Sequence, residues 1–149
     1  MIETLQGLFK RDLNRLKNEI ELYKSESDIW KIKDGISNSG GNLCLHLIGN
    51  LNAYIGKELG GTNYERNRPL EFSAKDVPRK DLIIEVENTL AIVINTLENL
   101  DEMNLKNEYP ILVFENPTST EYMLIHLTTH LTYHLGQINY HRRLIESVE

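Results

Sequence analysis

Residues 121–146 read EYMLIHLTTHLTYHLGQINYHRRLIE, and this stretch decides the fold. Apolar side chains at Leu127, Leu131, Leu135 and Ile138 recur at three- and four-residue intervals, the period of one face of an α-helix. Ile125 is expected to join them in the core. Beside that face the same stretch carries His126, His130, His134, Gln137 and His141. At about 100° per residue, all five fall within about 40° of His130 on the helical wheel. A helix with one apolar face and a polar track beside it needs something for that track to meet: solvent, a cavity or a partner.

Upstream, Ile2, Leu5, Leu8, Phe9, Leu13, Leu16, Ile20 and Tyr23 place a first amphipathic helix over Ile2 to about Tyr23. Ser25 to Gly41 is rich in Ser, Asn, Gly and Asp and reads as a loop from which Trp30 plugs the core. Leu43, Leu47, Leu51, Tyr54, Ile55 and Leu59 give a second helix from about Asn42 to Leu59, stopped by Gly60 and Gly61. Thr62 to Pro78 shows no periodicity and is expected to be a long connection. Pro78 suits the start of a third helix, carried to about Leu100 by Leu82, Val86, Leu90, Val93 and Leu97. Tyr109 to Phe114, bounded by Pro110 and Pro117, is expected to be extended or a minor strand. Thr118 and Glu121 form a capping-box pattern that opens the last helix, expected to end near Val148.

Four long amphipathic segments without a convincing set of strands define an all-α protein, a four-helix bundle in a single domain over residues 1–149. Links of roughly 14 to 18 residues exceed the usual two to eight between bundle neighbours, so lengths alone leave the up-and-down order open.

An apolar fraction of 40% and a charged fraction of 26% are those of a soluble globular chain, and no segment approaches a membrane span. The N-terminus lacks the apolar block of a signal peptide, and the lone Cys44 fits a reducing compartment, so a cytoplasmic protein is expected. A net charge of −6 disfavours nucleic-acid binding, which relies on Lys and Arg neutralising phosphates.

His130 and His134 lie one above the other on a helix and can grip one divalent ion. A third ligand must come from elsewhere, and His46 is the only histidine outside the C-terminal segment. Alone, an HxxxH spacing is as often packing as ligation, and a lone histidine on an apolar helix is more often a hydrogen-bonded core residue. The conjunction favours a metal site. No histidine has Glu three residues before it, which removes the Glu-x-x-His pairs of di-iron bundles. Each histidine of an HxxxH pair is followed by Leu, so the general base of the zincins is absent too. Cys44 lies about 200° round the helix from His46 and makes an improbable ligand. Three histidines with open positions resemble a catalytic site more than a closed structural one.

The string from His130 through Leu131, His134, Leu135, Gly136, Gln137 and Ile138 to Arg143 resembles the last-helix signature of the DinB-like superfamily, which includes the YfiT-like metal-dependent hydrolases. The stretch Asn42 to Leu51, with His46 and Asn50, resembles its second-helix motif. The resemblance covers nearly the whole chain. It implies a four-helix bundle running up-down-down-up, a divalent ion, nickel or zinc, and the ligand set His46, His130 and His134. It also implies a homodimer. His126 matches no ligand and is a candidate pocket residue, while Asn50 and Gln137 are candidates for orienting the ligands, with ordinary packing an equal alternative for each. Characterised relatives include thiol-dependent transferases and isomerases that use bacillithiol or mycothiol.

Three functions follow as expectations. The first is a metal-dependent enzyme that activates a small thiol or a water for transfer to, or hydrolysis of, a small-molecule electrophile. The second is a metal-binding or stress-associated scaffold without chemistry, and the third a helical interaction module whose histidines face a partner.

Overall fold

The apolar stripes become helices wherever they were continuous. The structure is a computed structural model that describes residues 1–147. It contains α1 (Ile2–Leu22), α2 (Gly40–Leu51), α3 (Arg68–Ser73), α4 (Arg79–Glu98) and α5 (Thr120–Glu146). The expected helix end at Val148 lies outside the described residues. Among the described residues there is no strand, and no helix is long and apolar enough to cross a membrane. The result is an all-α bundle.

The core forms where the stripes meet. α1 contributes Leu5, Phe9, Leu13, Leu16 and Ile20, and packs on α4 and α5. α4 adds Leu82, Val86, Val93 and Leu97, while α2 adds Leu43, Leu47 and Leu51 and lies against α5. Burying each such side chain contributes roughly 1.5–3 kcal/mol before the cost of ordering the chain. Cys44 is wholly enclosed in this core, and burial pushes its thiol up to about 12. Trp30 does plug the core, from a 3₁₀ turn over Glu26–Trp30 within the expected loop.

Several boundaries differ from the sequence reading, each for a local reason. α2 begins at Gly40 because the Ser39 hydroxyl accepts the Asn42 N–H at 3.1 Å. Its first turn is glycine because Trp30 lies against it: a Cβ on residue 41 would come within 2.7 Å of the ring. Past Leu51 the α-helix widens into a π-helical segment, Asn52–Lys57. Here Asn52 sends its amide to the Ile48 carbonyl and the Thr89 hydroxyl. The expected glycine stop holds, with Gly61 in the left-handed region at φ +68°.

The segment 62–78 is not helix-free, since it contains α3. The cap of α5 is Ser119, whose hydroxyl accepts the Tyr122 N–H at 3.1 Å. Thr118 instead gives its carbonyl to the Tyr109 N–H. The run over 109–114 is neither helix nor strand; beside that bond lies an isolated antiparallel bridge between Glu108 and Ser119, so the minor strand is absent among the described residues. Ile125 is 42% exposed and does not join the core, because it lies on the opposite side of α5 from Leu127 and Leu131.

Candidate metal centre

His46 projects from the middle of α2, and His130 and His134 from successive turns of α5, at the place where these helices pack together. One ring nitrogen from each of the three lies within 4.8 Å of the others. His46 Nε2 is 3.2 Å from His130 Nε2. The ring centroids are 4.6 to 5.2 Å apart. Three imidazoles at these separations can hold a divalent ion, leaving coordination positions for water or substrate.

On the α2 side, the centre includes residues that sequence reasoning missed. Glu71 of α3 is buried and places Oε1 3.0 Å from His46 Nδ1. Arg66 grips the same carboxylate at both oxygens, donating from Nε to Oε2 at 2.9 Å and from Nη2 to Oε1 at 3.0 Å. Burial alone would raise the Glu71 pKa, but the hydrogen bonds from His46 and Arg66 outweigh it and hold the carboxyl below its ordinary range. Gly49 makes room, because a Cβ there would overlap the Glu71 carboxylate. Asn42 fastens the short helix by donating to the Glu71 and Ala74 carbonyls at 3.0 and 2.8 Å. The Phe72 ring lies 5.0 Å from that of His46, and the Arg68 guanidinium stands 5.5 Å from the Phe72 ring centre.

A signal for α3 was present. Asn67 followed by Arg68 and Pro69 is a capping residue with proline in the first turn, and the Asn67 side chain does accept the Leu70 N–H. Six residues are too few to show a helical period.

On the α5 side the support is lighter. His134 Nδ1 meets Gln137 Oε1 at 2.7 Å. Gln137 also lines a cavity of about 290 Å³ with Ile36, Leu43, Tyr140 and His141. His130 Nδ1 is buried with no partner among the described residues. Burial, reinforced by the neighbouring His134 and His46, pushes His130 down to about 4. Burial lowers His134 as well, against a raising contribution from Gln137. Both rings are therefore neutral near pH 7 and keep the lone pair that an ion needs.

The remaining candidates are placed as follows. His126 stacks 6.2 Å from His130 and meets the Phe114 ring edge-on at 4.8 Å, outside the cluster of three. Asn50 is buried one turn beyond His46, its Oδ1 without a hydrogen-bond partner among the described residues. Gly136 faces open space. Near the end of α5, Arg142 pairs with Glu19 at 2.9 Å and Arg143 lies over the Tyr140 ring.

Fold and centre together define an all-α bundle with a three-histidine cluster able to hold a metal ion. The chain belongs to the family described as protein of unknown function (DUF1572), whose profile matches residues 4–149. Its fold is similar to that in the crystal structure of a conserved protein from Enterococcus faecalis. That match has a TM-score of 0.75 at 16% identity and covers 99% of this chain and 98% of the other. No curated protein matches the chain.

Proposed function

We propose that the protein is a divalent-metal-dependent enzyme related to the DinB-like superfamily, with His46, His130 and His134 as ligands and nickel or zinc as the ion. The observation that carries this reading is the convergence of one imidazole from α2 and two from α5 within 4.8 Å. When bound, such an ion supplies Lewis acidity that lowers the pKa of a thiol or a water. The neutral His130 and His134 hold the site ready at physiological pH. The cavity lined by Gln137 offers space for a small molecule one residue removed from His134, to which Gln137 is hydrogen-bonded. The nucleophile in this reading is a low-molecular-weight thiol or water, and the partner a small electrophile. In this reading the protein is a cytoplasmic homodimer that acts on small molecules and not at a membrane, and its net charge of −6 speaks against nucleic acid as a partner.

The test is metal analysis of protein purified without a histidine tag, followed by a screen of thiols against electrophiles. About one ion per chain and thiol- or water-dependent turnover are expected. A second reading, a metal-binding scaffold without chemistry, draws on the commitment of Glu71 to His46 and Arg66, which leaves no free carboxylate base at that contact. An ion without turnover in any pairing would favour it.

A further inference from the structure

We propose that Glu71, itself fixed by Arg66, is a positioning residue that locks His46 as its Nδ1–H tautomer and reserves Nε2 for the metal. This rests on the metal reading above and extends it to residues that touch no ion.

The tautomer follows from the inventory of donors and acceptors. An ionised carboxylate only accepts, so a 3.0 Å contact between Glu71 Oε1 and His46 Nδ1 requires the proton on Nδ1. With the proton on Nε2, two lone pairs would face each other in a buried site. Arg66 Nη2 lies 3.4 Å from His46 Nδ1, a longer approach, while its shorter bonds go to the carboxylate. The free lone pair of His46 then sits on Nε2, the atom facing His130.

Four devices hold this one carboxylate in place. Arg66 neutralises it at both oxygens, Gly49 leaves the space it fills, Asn42 ties down the backbone at residue 71, and α3 carries it there. A hydrogen-bonded carboxylate behind a metal-ligating histidine fixes the ring and raises its basicity, and removing such a partner typically weakens metal binding by about 10–100-fold. Arg66 acts one step further out, through Glu71.

Two measurements test this, one without metal. In the metal-free protein, ¹⁵N NMR of the histidine rings should show His46 protonated at Nδ1, and Glu71→Ala should mix the tautomers. In cobalt(II) titrations, Glu71→Ala should bind about 10–100-fold more weakly than wild type, and the isosteric Glu71→Gln about 10-fold more weakly. Gly49→Ala displaces the carboxylate without removing its charge, and should fall with Glu71→Ala. The cobalt absorption band should shift in all three, a change that loss of packing alone does not produce. A His46 protonated at Nε2 in wild type overturns the proposal. Undiminished cobalt affinity in a folded Glu71→Ala protein overturns the positioning role alone, and wild-type protein that takes up no cobalt overturns the metal reading together with it.

Discussion

α5 carries histidines of a single polar track at two places, and their surroundings differ. Two turns beyond His134, His141 is buried with both nitrogens engaged by the protein: Nδ1 meets the Tyr23 hydroxyl at 2.7 Å and Nε2 the Lys31 carbonyl at 2.8 Å. A carbonyl only accepts, so Nε2 donates to Lys31 and Nδ1 accepts a hydrogen bond from the Tyr23 hydroxyl. His141 thus fastens α5 to α1 and to the loop before α2. His130 and His134 hold the same helical register but each bring a ring nitrogen to within 4.8 Å of one on His46. Spacing decides which side chains share a face; the partners already present decide which of them remain able to bind an ion.

The sharpest way to break this contrast is His130→Ala combined with His134→Ala. Metal content should fall from about one ion per chain to none, and full occupancy by elemental analysis would remove the centre altogether. His141→Ala should do the reverse. It removes the hydrogen bonds to the Tyr23 hydroxyl and the Lys31 carbonyl along with a buried ring, so it should cost about 2–4 kcal/mol in denaturant unfolding while metal content stays unchanged.

Acid sharpens the comparison further. His130 has a folded-state pKa below its unfolded value, so between about 6.5 and about 4 the unfolded chain takes up a proton that the folded chain refuses. The stability of the metal-free protein should therefore fall as pH drops through that window, read from unfolding curves in EDTA at pH 7 and pH 5. Burial lowers His141 as well, against its bond to Lys31, and acts in the same direction. A bound ion should steepen the slope, because it binds only neutral imidazole. The smallest effect should come from His126→Ala. This residue contacts Phe114 outside the cluster, so stability should move by no more than about 0.5 kcal/mol and metal affinity should not change.

The four long helices were legible because their apolar stripes are continuous, as in Leu5, Phe9, Leu13 and Leu16 of α1. The three histidines were legible because HxxxH and one isolated histidine form a pattern that survives without coordinates. The other half of the centre was not. Glu71 and Arg66 lie in an irregular stretch where no period points inward, and their role comes from α3 folding back on α2. Local chemistry also shifted the boundaries, since Ser119 rather than its neighbour Thr118 presents its hydroxyl to the first turn of α5. Ile125 looked apolar enough for the core, yet its angular position puts it in solvent.

Cys44 sits two residues before His46, sealed in the core with its thiol pushed up to about 12. The chain's sole sulfhydryl is thus withheld from solution while the bundle stays closed. In the proposed reaction, the sulfur therefore has to arrive as a diffusing molecule. The same seclusion makes a thiol-trapping dye a clock for the molecule's opening, since colour develops only as fast as the helices part.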